Sequence, residues 1–264
     1  MDSSPPEFEN RKWRSSQVRR RLVLDIVIGG TLLVLTFPVA VVLSIGSTIS
    51  LRAWPIFTQD RLGRGGVPFR FAKIRSLPPD APRYADKYAI QDVPRTRFGT
   101  FLRTSHLDEL PQLALVVVGR MSLVGPRPEM ASVAATFDPA FMEARSCLRP
   151  GCTGLWQVSE AADRLIGEAP EYDLYYVEHS CIRLDLWILW RTALQLIPSV
   201  GGVTLEQVPK WARPSPRAVP GASVAPGSPR FGLGSAEHPT TTLAIESQAA
   251  SLMEPMSPDL KEMT

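Results

Sequence analysis

The feature that most restricts this chain is an apolar run from Leu22 to Leu51, LVLDIVIGGTLLVLTFPVAVVLSIGSTISL, in which Asp25 is the single charge. A bilayer core needs about 20 apolar residues of helix, so the run is long enough to cross one. It is too long for a secretory signal, and no small-residue cleavage site precedes a conventional secreted domain. Two features argue against a simple crossing. Pro38 stands mid-run, where proline removes a helix hydrogen bond and bends the axis. Both flanks are basic, so the positive-inside rule sets no direction. A helix that enters the membrane, breaks at Pro38 and returns leaves both flanks on the cytoplasmic side. Its first arm, Ile26 to Phe37, is about 18 Å long, short of the ~30 Å hydrocarbon core. Residues 19–51 are therefore expected to form a re-entrant membrane helix, with a true span as the alternative.

The rest of the 264 residues divide by composition. Residues 1–18 are polar and basic and are expected to be disordered. Residues 52–198 carry periodic apolar segments and form the expected catalytic domain. After Ser199 prolines recur among Gly, Ser and Ala, so 199–264 are expected to be a disordered tail. Alternating Phe69 and Phe71 after Gly65-Gly66 predict a short strand. Residues 78–95 and 119–128 predict loops, and 107–118 and 129–146 helices. Arg149 to Val158 reads as a turn followed by a strand, and 171–197 as two amphipathic segments. Trp187 and Trp190 lie three apart beside Leu186, Leu194 and Ile197, which predicts a shared helix face, in the core or at a membrane interface. The fold class is α+β: a mostly helical, membrane-associated domain with a few short strands.

Net charge is +3, concentrated in an N-terminal basic set and in a second one, Arg52, Arg61, Arg64, Arg70, Lys73 and Arg75. Such sets suit a membrane surface or phosphorylated substrates. No aromatic-rich RNA-binding signature or zinc-finger spacing accompanies them, so no nucleic-acid partner is expected. Cys147, Cys152 and Cys181 form no C-x-x-C pair and are read as reduced, buried thiols.

The stretch SHLDELPQL, Ser105 to Leu113, sets two carboxylates side by side ahead of a proline. In a helix over 107–118, Leu110, Leu113, Ala114 and Val117 form one apolar face, and Gly119 supplies a C-terminal stop. Pro111 is tolerated only in the first turn, which places Asp108 at or next to the N-cap. Free amides and the helix dipole there favour an anionic Asp108. An isolated pair of this kind is an ordinary cap. Its company is less ordinary. Arg127 is held between Pro126 and Pro128, Arg149 adjoins a glycine turn, and Arg103 lies five residues before Asp108. Arginines presented on restricted loops are good bidentate phosphate ligands. Two acids can hold Mg²⁺ together with substrate phosphates, or one acid can attack phosphorus directly. These residues point to phosphoryl-type transfer at a membrane surface.

Taken in order, RLGRGGVPFRFAKIRSL, TRFGTFLRTSHLDELPQL, GRMSLVGPRPE, LRPGCTGLWQV and YDLYYVEHSCIRLDLWIL resemble the bacterial sugar transferases, the monotopic polyprenyl-phosphate glycosyl-1-phosphate transferases, in their short form. The resemblance runs from about Arg19 to Ile197. It implies transfer of a sugar 1-phosphate from a nucleoside diphosphate sugar, usually a UDP-sugar, to polyprenyl (undecaprenyl) phosphate, with release of UMP. It implies a covalent phosphosugar on Asp108, Glu109 as its partner, Mg²⁺ beside Asp108, and Arg103, Arg127 and Arg149 on the phosphates. Asp173, in the matching D-x-Y-Y-V stretch, is a supporting candidate, as are Lys73 and Arg75 from the second basic set. The implied setting is the cytoplasmic face of the bacterial inner membrane, in contact with membrane lipid; a homodimer is left open. Three positions depart from the pattern. Leu115 replaces the usual Asn, Arg120 the usual Asp, and Ser159-Glu160-Ala161-Ala162 a Gly-Arg-Asn loop near the expected donor site, so the sugar stays open. A metal-dependent phosphohydrolase using the same acids, and a non-catalytic scaffold of polysaccharide assembly, are the competing readings.

Overall fold

The computed structural model describes residues 15–83, 90, 93–197 and 199–212, the side chains from Arg21 onward. The expected N-terminal disorder and most of the tail fall outside these. The compact unit ends at Arg217, and a second, Ala218–Thr264, lies wholly outside the described residues. Helix α1 (Ser15–Leu51) has Pro38 inside it and ends at Arg52, whose φ of 47° is a left-handed stop. The apolar stretch Arg21–Leu51 is long enough to cross a membrane and is only 11% buried over its most apolar window.

A hairpin follows. Strands β1 (Ile56–Leu62) and β2 (Pro68–Ile74) pair antiparallel, with Phe57 opposite Lys73 and Arg61 opposite Phe69. The turn needs left-handed backbone at Gly65 (φ 68°) and Gly66 (φ 72°), which glycine adopts without strain. Phe69 and Phe71 face the core, as their alternation predicts. β1 itself carried no comparable alternation.

Helix α2 (Arg97–Thr104) starts at Thr96, whose hydroxyl accepts from the Gly99 N–H at 3.0 Å; such a cap contributes about 1 kcal/mol. The helix expected over 107–118 divides in two. Leu107–Glu109 form a single 3₁₀ turn, and α3 spans only Gln112–Val117 with Pro111 as its cap. His106, at φ 56° and ψ 14°, turns the chain between α2 and the acids. Leu113 and Val116 form the buried face while Ala114 is exposed, so the apolar face is rotated from the expected one. Gly119, at φ 75°, does end α3.

Strand β3 (Ser122–Val124), inside a stretch expected to be loop, pairs in parallel with β4 (Gly151–Thr153). Between them the expected single helix is two, α4 (Ala131–Ala134) and α5 (Pro139–Ser146). Asp138 caps α5, accepting from the Ala140 N–H at 2.9 Å, and Pro139 takes its first turn. Helices α6 (Pro170–His179) and α7 (Ile182–Leu194) match the two amphipathic segments. Their tryptophans separate, however. Trp187 is 4% exposed in the core beside Leu184 and Ile188, whereas Trp190 is 55% exposed with Leu186.

The catalytic body also extends past the boundary expected at 198. Val203, Val208 and Ala212 are buried in the main core. The Val203 N–H donates to the Val158 carbonyl at 3.0 Å, and the Glu160 N–H to that of Val203 at 3.2 Å. Residues 199–212 are thus the partner that covers the 158–160 segment, a contact between distant stretches that composition does not reveal.

Candidate active site

The 3₁₀ turn delivers the two acids, and its surroundings come from three other elements. Asp108 is 4% exposed. Gly99 lets α2 lie against the exit of β2: a Cβ there would stand 2.3 Å from the Ser76 carbonyl oxygen. That approach brings the Ser76 hydroxyl to 3.5 Å from Asp108 Oδ2. Lys73, near the end of β2, feels the fields of Asp108, Arg103, Glu109 and Arg127 together. Five of the expected residues therefore share one site.

Burial pushes the Asp108 carboxyl up, and Glu109 pushes the same way. Lys73, then Arg103 and His106, pull it down. Burial wins, so the stabilised anion expected at a helix cap is here a desolvated acid whose charge the neighbouring cations offset only in part. Lys73 shows the mirror image: burial, helped by Arg103 and Arg127, lowers its amine to about 8 against the pull of Asp108 and Glu109. Burial also lowers Arg61 to about 10, with Glu129 and Glu109 opposing and Arg127 assisting. Arg61 was one of the basic set but not a site candidate; its place opposite Phe69 on β1 puts it at the edge of the cluster.

Arg103 Nη1 is buried without a hydrogen-bond partner. An unpaired buried donor costs about 1–3 kcal/mol, and an anion in the site would relieve it. The Arg127 loop is clamped on all sides. Arg145 Nη2 donates to the Arg127 carbonyl at 2.8 Å, and the Gly151 N–H to that of Pro126 at 2.9 Å. Arg61 Nη1 donates to the Pro128 carbonyl at 3.2 Å, and the Leu62 N–H to that of Glu129 at 2.8 Å. The flanking prolines are only part of what fixes Arg127.

Three candidates stand elsewhere. Arg149 is spent on Asp25: its Nη2 lies 2.8 Å from the carboxylate, and its Nη1 donates to the Met121 carbonyl at 3.1 Å. Asp25 also accepts from the Ser122 hydroxyl at 2.8 Å and the Leu123 N–H at 3.0 Å. This pair ties α1 to β3 and occupies the Arg149 guanidinium that was expected on a phosphate. Asp173 pairs with Arg145 at 2.9 Å, both nearly fully buried, and so acts on the Arg127 loop rather than on a ligand. Arg75 Nε donates to the Trp54 carbonyl at 2.9 Å, away from the acids. Arg145 and Asp25 were missed because their partners lie 28 and 97 or more residues away.

No group of three or more His, Cys, Asp and Glu that could hold a metal occurs among the described residues. Asp108 and Glu109 would be the carboxylates to hold Mg²⁺, which is commonly held by one or two carboxylates with substrate phosphates and water.

The family model described as "Bacterial sugar transferase" matches residues 16–199. The chain belongs to that family. It is 34% identical over 201 residues to the UDP-glucose:undecaprenyl-phosphate glucose-1-phosphate transferase of Klebsiella pneumoniae, covering 72% of this chain and 42% of that one. It is 34% identical over 188 residues to a protein of the same name from Caulobacter vibrioides, covering 67% and 70%. The UDP-galactose-lipid carrier transferase of Erwinia amylovora is 37% identical over 158 residues, covering 52% and 32%. The chain thus spans 32% and 42% of the length of two of these relatives and 70% of the third.

Proposed function

We propose that this protein moves a sugar 1-phosphate from a nucleoside diphosphate sugar, a UDP-sugar as in its relatives' names, to polyprenyl phosphate. The observation that carries the reading is a buried Asp108 under the influence of Lys73 and Arg103, with Arg127 acting on both of those cations and none of the three in an ion pair among the described residues. Cations in excess of carboxylates suit a substrate that brings its own phosphates.

In the first step an Asp108 oxygen attacks the β-phosphorus of the donor. The bond from that phosphorus to the bridging oxygen breaks, and the nucleoside monophosphate leaves with the electron pair. Desolvation raises the energy of the attacking carboxylate, while Lys73 favours its ionised form. Arg103 and Arg127 hold the phosphoryl oxygens as charge redistributes. In the second step a polyprenyl phosphate oxygen attacks the same phosphorus, the Asp108 oxygen–phosphorus bond breaks, and the carboxylate returns. Glu109, the next residue on the turn, takes the role of orienting the acceptor. Mg²⁺ held by Asp108 would supply charge neutralisation at the phosphates.

Both halves of α1 support a re-entrant seat at the cytoplasmic face of the inner membrane. Arg21 pairs with Asp185 at 2.9 Å, and Ser47 Oγ donates to the Arg75 carbonyl at 2.7 Å, both within one compact body.

The test is turnover by the detergent-solubilised chain with Mg²⁺, undecaprenyl phosphate and a panel of UDP-sugars, read as UMP release. One donor is expected to react, with Asp108→Asn lowering the rate by about 10⁴-fold or more. Trapped enzyme should carry a phosphosugar on the peptide containing Asp108. No release with any nucleotide sugar, or the adduct on another peptide, overturns the reading.

A further inference from the structure

The dyad does not account for a cavity that opens beside it between the hairpin and residues 75–83. It holds ≈ 300 Å³, the volume of about ten waters at ~30 Å³ each, so a bare phosphate would leave most of it empty. Its size falls at the lower end of small-molecule sites. Lys73 and Ser76 line it, and both also attend Asp108. Its other cations are Arg75 and Arg83, with Arg61 at the edge.

Three of these cations converge on one ring. Lys73 Nζ lies 5.5 Å from the Phe57 centroid, Arg75 Cζ 5.8 Å and Arg83 Cζ 5.9 Å. None has a carboxylate partner among the described residues. Among the described residues Arg75 and Arg83 donate to the Trp54 and Thr58 carbonyls, bonds that orient each guanidinium along the cavity. Phe57 gathers like charges that would otherwise repel, which makes sense for a site awaiting an anion. Trp54, 74% exposed, lines the same cavity.

We propose that this cavity seats the leaving nucleoside monophosphate, with Arg75 and Arg83 on its phosphate and Trp54 against its base. The assignment rests on the nucleotide-sugar reading above and adds where the nucleotide lies. Lys73 stands at the junction, one side toward Asp108 and the other toward the cavity, so it spans the phosphate under attack and the one that departs. When the bridging bond breaks, the electron pair collects on the departing phosphate, among the arginines. A base stacked on an aromatic ring adds about 1–3 kcal/mol in comparable sites, which distinguishes a nucleotide from a simple sugar phosphate.

The experiment measures binding of UMP and of ribose 5-phosphate to the full chain in detergent, with donor and acceptor KM in parallel. Arg83→Gln is expected to weaken UMP and raise donor KM by about tenfold or more. Trp54→Ala should weaken UMP by about five- to a hundredfold while leaving ribose 5-phosphate affinity in place, which also shows that the variant is folded. Undecaprenyl phosphate KM should not move. A rise in acceptor KM with unchanged UMP affinity assigns the cavity to the lipid phosphate and overturns the proposal. Arg83-dependent UMP binding without turnover of any nucleotide sugar leaves the site standing and removes the catalytic reading instead.

Discussion

Lys73 and Asp108 constrain each other. Burial disfavours charge on both, and each is the largest favourable influence on the other. The amine, lowered to about 8, is protonated below that value and loses its charge above it. Its hold on phosphate, and its support for an ionised Asp108, are therefore present on the acid side of about 8 and lost as pH rises through it. The pH profile of kcat/KM should fall on an alkaline limb near 8. Lys73→Arg should move that limb upward, because guanidinium stays charged; a limb that stays in place assigns it to another group. Asp108 and Glu109 were legible in the sequence because adjacent acids before a proline are conspicuous. The environment of Asp108 was not. The cap geometry that predicted free amides gave way to a 3₁₀ turn after a left-handed His106, and burial became the dominant influence. The pairing of Arg149 was hidden for a related reason: a glycine turn suggests a presented arginine, but its partner Asp25 lies 124 residues earlier.

Among elements, the loop from Pro126 to Glu129 depends on α5 and α6. Asp173 of α6 holds Arg145 of α5, whose guanidinium lies 5.3 Å and 5.5 Å from the Phe137 and Phe141 rings and donates to the Arg127 carbonyl. Removing one partner of such a buried pair costs about 3–5 kcal/mol. Asp173→Ala should lower stability by that order in denaturant titration. It should also reduce kcat/KM, because the freed Arg145 no longer fixes the Arg127 backbone. Loss of stability with kcat/KM unchanged would confine the pair to packing. The elements that were legible have long periods: the Phe69–Phe71 alternation of β2 and the apolar stripes of α6 and α7. Strand β4 falls within the turn and strand expected over Arg149 to Val158, whereas β3, inside an expected loop and three residues long, shows no period and exists because β4 pairs with it. The covering segment 199–212 escaped notice likewise, since its order comes from Val158 and the core rather than from its own composition.

For the whole molecule the question is how one apolar helix meets both a membrane and a single folded body. The first half of α1 docks through Arg21, Asp25 and Leu33, and the second through Leu43, Ser47 and Ser50. No residue of 34–42 joins either hydrophobic cluster, and Val34, Leu35, Phe37 and Val42 are each more than 60% exposed. From Leu33 to Leu43 is about 15 Å of helix, half of the ~30 Å hydrocarbon core. A helix spanning that core between two contacts with the same body has too little free length. The re-entrant seat proposed above, with the exposed segment around Pro38 at its deepest point, does not meet that limit. The outward Leu186 and Trp190 of α7, which is tied to the first half of α1 by the Arg21–Asp185 pair, extend the apolar surface beside it, where an exposed tryptophan suits the headgroup region. Membrane-impermeant thiol labelling decides between the two topologies, with Cys147, Cys152 and Cys181 replaced by serine. Arg20→Cys and Ala53→Cys should both react from the cytoplasmic side and neither from the periplasmic side, and Phe37→Cys should resist both. Periplasmic labelling at residue 20 or 53 alone would establish a true crossing and place the two docking contacts in conflict with the membrane's thickness.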